Sequence, residues 1–192
     1  LAEKVNDESL TDYYKKALND SSYQVLASAL EAITKQNPEA GIKLAAQYEK
    51  EENTTVIGAL CSLYGAAGSD ANYAYMRSAS QKVGNYEMYY YLKSYGQFLT
   101  RCSDETVIKG LEQYDILLEK RKSDYFRSSV AASLETVRKH YETLGLEYQT
   151  RIADLKSTNA NATGIQALEE KQKKASEMQA LLAAKKAAVV KK

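Results

Sequence analysis

The 192-residue chain has no Trp, one Pro, one His, two Cys and two Phe, and the two signs of charge nearly cancel, 26 Lys plus Arg against 25 Asp plus Glu. Each scarcity excludes something. One His and two Cys cannot supply the four ligands of a structural zinc site, nor the three of the usual catalytic one without several carboxylates, so no metal or other cofactor is expected in this chain. Balanced charge removes the clustered basic surface that nucleic-acid binding requires, and no nucleic-acid partner is expected. No apolar run approaches the roughly 18 residues of a membrane span. With one Pro and nine Gly there are few forced helix breaks, and the abundant Ala, Leu, Glu, Lys and Gln lose little rotamer freedom in a helix. An all-α fold follows.

The usual catalytic signatures are missing as well. Gly65-Ala66-Ala67-Gly68 continues as Ser69-Asp70, without the Lys of a phosphate-binding loop. No Gly-x-Ser-x-Gly elbow occurs. His140 precedes Tyr141-Glu142, so there is no His-Glu-x-x-His pair, and it reads as an exposed polar residue of an amphipathic helix. The carboxylate pairs Glu51-Glu52 and Glu169-Glu170 read as solvated, and no catalytic residue is assigned. Cys61 and Cys102 read as small apolar helix residues, though an oxidising compartment would let them pair, which leaves cytoplasmic and exported settings both open. The first residue is Leu1, which fits either a processed protein or a piece of a longer polypeptide. Between Lys171 and Lys192 stand seven Lys and one Glu, read as a solvated helix tail.

What is present is helical periodicity with regular punctuation. Leu10, Tyr13 or Tyr14, Ala17 and Leu18 make a short first helix ending at Asn19-Asp20. Ser22 reads as the cap of a second, with the stripe Val25, Leu26, Ala29, Leu30 and Ile33. Asn37-Pro38 ends that helix and starts another, with Pro in the favoured first turn. Asn53 caps the helix of Val56, Ile57, Leu60 and Tyr64, with Gly65 and Gly68 closing it. Asp70 reads as the next cap, Gly84-Asn85 as a turn before Met88, Leu92, Tyr95 and Leu99, and Ser103 and Ser123 as further caps. Phe126, Val130, Leu134, Val137 and Tyr141 then form one continuous face.

The caps Ser22, Asn53, Asn85 and Ser123 are 31, 32 and 38 residues apart. Helix pairs at that spacing are the sign of an α-solenoid, in which each pair buries its face on its neighbours. About four HEAT-like pairs are expected over residues 1–142. The texture changes after Glu142, and residues 143–192, interrupted by the polar stretch Ser157 to Thr163, are expected to form a helical hairpin that caps the solenoid or protrudes as an arm.

Tyrosine is the surplus. There are 16, five of them between Tyr86 and Tyr95. Met88, Leu92, Tyr95 and Leu99 share one helix face and Tyr86, Tyr89 and Tyr90 another, as an inner helix packed on both sides requires. A rigid ring with a polar tip also suits a wet surface, so Tyr73, Tyr75, Arg77 and Tyr90 are candidates for a groove that holds peptide, with Tyr86 and Tyr89 beside them.

The segment Ala17-Leu18-Asn19-Asp20-Ser21-Ser22-Tyr23-Gln24-Val25, with Ala29-Leu30, Asn37-Pro38-Glu39-Ala40, Gln47-Tyr48-Glu49 and Leu63-Tyr64-Gly65, resembles the C-terminal HEAT-like region of bacterial zinc aminopeptidases of the aminopeptidase N type. The likeness spans about residues 8–140 and is strongest up to Gly68. It implies a parent hydrolase that removes N-terminal residues from peptides with a zinc-activated water. The His-Glu-x-x-His pair, the later Glu ligand and the Gly-x-Met-Glu-Asn motif of that family have no counterpart here. No catalytic or zinc-binding residue carries over. The implied role is a scaffold and gate beside a catalytic domain of the same polypeptide; the alternative is a free-standing helical-repeat scaffold for protein–protein interaction.

Overall fold

The computed structural model describes residues 10–158 and 162–191, and among them there are nine α-helices and no strand. The fold is all-α. The chain divides into two compact units, Leu1–Ile116 and Leu117–Lys192.

The first unit holds α1 (Thr11–Ala17), α2 (Tyr23–Gln36), α3 (Pro38–Ala45), α4 (Thr54–Ala67), α5 (Tyr73–Ala79) and α6 (Glu87–Leu99), with short 3-10 turns at Ala46–Tyr48 and Asp70–Asn72. A seventh helix, α7 (Asp104–Lys120), starts in this unit and ends in the other. Local chemistry sets the boundaries. The Asn37 side chain accepts a hydrogen bond from the Ala40 N–H (3.0 Å) while Pro38 opens α3, and the Asn53 side chain accepts from the Thr55 N–H (3.0 Å) to open α4.

Leu30, Val56, Ile57, Leu60, Leu92, Leu99 and Val107 have no exposed surface. Each such side chain contributes about 1.5–3 kcal/mol through burial. Tyr14 packs with Ala32 and Ile33 in a smaller cluster that α1 closes through Leu10 and Leu18. Four Tyr, at 64, 91, 95 and 114, are also fully buried. A buried phenol needs a partner for its hydroxyl, and two of these find one on the preceding helical segment. The Tyr64 hydroxyl donates to Glu49 Oε1 at 2.6 Å and the Tyr91 hydroxyl to the Met76 carbonyl at 2.9 Å, each across fifteen residues.

Four hydrogen bonds of the first unit share a spacing of their own. Arg101 Nε donates to the Gly68 carbonyl (3.3 Å), the Ser103 N–H and Oγ–H both donate to Asp70 Oδ1 (3.0 and 3.1 Å), and Gln113 Nε2 donates to Ser80 Oγ (2.9 Å). In every case the partners are 33 residues apart. The caps read from the sequence are spaced differently, at 31, 32 and 38 residues.

Three local expectations are corrected. Asp70 does not cap a helix: Ser69 forms the capping box with Asn72, and the Asp70 carboxylate reaches forward to Ser103 instead. Hydrogen bonding from Thr106 and from Ser103 holds that carboxyl below its ordinary range. Gly65 does not close α4. It lies inside the helix, which ends at Ala67 against Gly68. Ser22 precedes α2 but gives it no side-chain cap, and its N–H is taken by Asp20 Oδ1 at 2.8 Å.

The second unit is built on α8 (Asp124–Ser157) and α9 (Ala162–Val190). Ser123 Oγ accepts from the Phe126 N–H (3.2 Å) to start α8, and Phe126, Val130, Leu134, Val137 and Tyr141 are all buried. The helices run antiparallel, as two ion pairs show: Lys156 to Glu169 at 2.9 Å and Lys186 to Glu135 at 3.1 Å. Ala175, Met178, Leu182 and Val189 are the buried stripe of α9. Glu135 also receives Arg138 through Nε and Nη2, both at 2.8 Å, and these cations lower its carboxyl to about 2.

The division expected after Glu142 falls within α8, while the compact units part between Ile116 and Leu117. Helix continues through Thr143-Leu144-Gly145-Leu146 because one Gly costs only about 1 kcal/mol there. Arg138 pairs with Glu142 (3.2 Å) and Thr143 Oγ1 donates to the Lys139 carbonyl (3.0 Å) across the junction. Of the polar stretch Ser157 to Thr163, residues 159–161 lie outside the described residues.

Candidate functional site

A concavity of the first unit lies between α4 and α6. One side of α4 is apolar and buried, with Val56, Ile57, Leu60 and Tyr64, and the opposite stripe is Thr54, Thr55, Gly58 and Ser62. Gly58 and Gly65 are seven residues apart and so share a face of the helix. Their surroundings differ sharply. A Cβ on Gly65 would stand 2.8 Å from the Ser94 carbonyl oxygen, so there the two backbones touch. Around Gly58 nothing lies within 4 Å of where a Cβ would be. The helices meet at one end and part at the other, which leaves a groove of about 420 Å³ with Glu87, Tyr90, Lys93 and Gln97 of α6 on the far wall and Glu31 of α2 at the margin. That volume suits a small ligand or a few residues of chain.

Tyr90 belongs to this wall and to a ring cluster at its rim. Its ring meets Tyr86 at 5.8 Å and Tyr89 at 5.3 Å, both edge-on. All three are exposed: 76% for Tyr86, 43% for Tyr89 and 54% for Tyr90. The packed second face expected of this helix is therefore a correction. Met88, Tyr91, Leu92, Tyr95, Phe98 and Leu99 face the core, and Tyr86, Tyr89 and Tyr90 gather on one another in solvent.

The remaining candidates are placed apart. Tyr73 and Arg77 line a separate cleft of about 80 Å³ with Lys109 and Glu112. Tyr75 lies in the core, its ring edge-on to Tyr64 at 5.3 Å, and burial raises its phenol pKa. Of the six residues read as contacts, Tyr90 lines the α4–α6 groove and Tyr86 and Tyr89 adjoin it through ring contact.

Cys61 lines the groove, but burial pushes its thiol up to about 12, so it carries no thiolate near neutral pH. Both Cys are free. Among the described residues no three of His, Cys, Asp and Glu gather where a metal ion would need them. His140 sits in the second unit with its ring 5.6 Å from that of Tyr141. Glu87 and Lys93 have no ion-pair or hydrogen-bond partner for their side chains among the described residues. Hydroxyls, the carboxylates of Glu31 and Glu87, the Lys93 ammonium and an aromatic wall are what the groove presents.

Sequence reasoning missed the α4 wall. Its signal was legible in outline: a polar stripe at three- and four-residue spacing on an otherwise apolar helix, interrupted by a Gly. No protein-family model, curated protein or solved structure matches the chain.

Proposed function

We propose that the chain is the non-catalytic C-terminal helical domain of a zinc-dependent aminopeptidase, a HEAT-like scaffold and gate for the cavity where N-terminal residues are removed from peptides. The observation that carries this is where the resembling residues lie. Asn37-Pro38 makes the α2–α3 junction, Glu49 and Tyr64 bond to each other, and Gly65 is the point where α4 touches α6. The likeness thus resides in residues that lock helices together, which supports a shared scaffold in place of a shared active site.

Zinc belongs to this reading through a catalytic domain outside the chain, as the resemblance implies; among the described residues no three ligating side chains converge. Two experiments test it. The coding sequence upstream of Leu1 is expected to specify a zinc-peptidase motif, and a frame without one overturns the proposal. The isolated chain with added zinc is expected to release no amino acid from peptide amides; chelator-sensitive turnover by homogeneous protein overturns it equally.

The exposed cluster Tyr86, Tyr89 and Tyr90 favours a second reading, a free-standing scaffold for protein–protein interaction. A stable complex of the isolated chain with a purified partner, lost on changing all three to Ala without loss of helicity, would distinguish it.

Among the described residues no helix is long and apolar enough to cross a membrane.

A further inference from the structure

We propose that the α4–α6 groove binds a short peptide in extended form by both of its free ends, the ammonium toward Glu87 and the carboxylate toward Lys93. This rests on reading the groove as a contact surface and names what it would take.

Three observations converge. The first is space made by a missing side chain: Gly58 leaves the floor open where its Cβ would meet nothing, although Gly65, seven residues further on the same face, is pressed against Ser94. A Gly inside a helix is less favourable than Ala, and packing does not require this one. The second is a pair of opposite charges on one wall, Glu87 and Lys93, neither satisfied within the described protein. Unpaired partners of opposite sign are complementary to a ligand that carries both. The third is what stands between them. Tyr90 is three residues from each along α6, with its ring forming the wall.

Spacing selects the ligand. Six residues of helix separate the two charged positions by about 9 Å along the axis. An extended peptide spans at most about 3.3–3.6 Å per residue, so the ends of a tripeptide lie about 10 Å apart. A free amino acid holds its two charges far closer together, so Glu87 and Lys93 would have to fold toward each other to meet both. An internal segment of a longer chain lacks the two end charges. A tripeptide would set its middle side chain between Tyr90 and the Gly58 floor, with its amides among the hydroxyls of Thr55 and Ser94.

The test uses the whole chain, labelled with 15N and titrated with Ala-Phe-Ala in three forms: free, N-acetylated and C-amidated. The free peptide is expected to shift the Gly58 and Ser94 amides saturably below about 1 mM, and blocking either end to weaken binding about tenfold. Each charge should answer to its own end. Lys93→Gln is expected to abolish discrimination against the C-terminal amide and keep that against the acetyl group, and Glu87→Gln to do the converse. Gly58→Leu should eliminate binding while thermal unfolding stays unchanged or rises, since the added side chain enters open space. No saturation by about 10 mM, equal binding of blocked and free peptide, or shifts confined to other parts of the chain would each overturn the proposal. Zinc-peptidase parentage is judged by the upstream coding sequence, so failure of peptide binding leaves it standing.

Discussion

The Tyr64 hydroxyl lies 2.6 Å from Glu49 Oε1 and donates to it, tying α4 back to the end of the preceding helical segment. Hydrogen bonds to charged groups contribute about 1.5–3 kcal/mol, against about 0.5–1.5 for neutral pairs. The analogous bond from Tyr91 ends on the Met76 carbonyl, a neutral acceptor. Tyr64→Phe is therefore expected to destabilise the chain by about 2 kcal/mol and Tyr91→Phe by about 1. Urea unfolding of both variants checks the order, and a larger loss for Tyr91→Phe contradicts it.

Gly65 and Gly58 make a matched pair for a packing test. Alanine at 65 would press on the Ser94 backbone, and overpacking of that kind costs about 1–3 kcal/mol. Alanine at 58 meets nothing and improves helix propensity, a gain of about 0.5–1 kcal/mol. Thermal melts should move in opposite directions.

Acid should loosen the second unit at a definite place. Glu135 is bonded by Arg138 and Lys186, and its carboxyl falls from 4.5 to about 2. A lowered carboxyl pKa means stability that is complete above the unfolded value of 4.5 and is lost as pH falls from there through about 2. Glu135→Gln should lower the melting temperature at pH 7 and flatten its fall between about pH 4.5 and 2. Unfolding followed by circular dichroism across that range reads both effects.

Neither Cys should be reactive in the folded chain. Burial, first, pushes both thiols up to about 12, with the nearby Asp70 adding to the effect at Cys102, whose Sγ–H donates to the Phe98 carbonyl at 3.3 Å. At pH 8 an aromatic disulfide reagent is expected to label neither within minutes and both promptly in denaturant. Fast labelling of native Cys61 would contradict the packing described.

Replacing Tyr86, Tyr89 and Tyr90 one at a time with Ala should change stability by no more than about 1 kcal/mol each, because these rings are exposed. A cost of about 2 kcal/mol or more would place them in a packed interface.

Much of the helix order was legible because the evidence for it is local. Asn37, Asn53 and Ser123 cap where their side chains can reach N–H groups two or three residues on, and Phe126 to Tyr141 show one face by spacing alone. Asp70 was misread since Ser69, Asp70 and Asn72 all have capping chemistry, and only the distant Ser103 decides which carboxylate is drawn elsewhere. The two faces of α6 were equally rich in rings. Which one is covered depends on neighbours from other helices, and periodicity carries no trace of them. The groove depends on a Gly that does nothing for packing, and spacing cannot tell it from Gly65, which does.

The bonds that join residues 33 apart bear on how the chain can change length. One residue inserted within α6 turns everything after it by about 100° and shifts it by about 1.5 Å. Arg101, Ser103 and Gln113 would then miss Gly68, Asp70 and Ser80 together. Length variants of this chain that still fold should therefore carry their insertions in the connection 80–86 and leave the helix beyond it untouched.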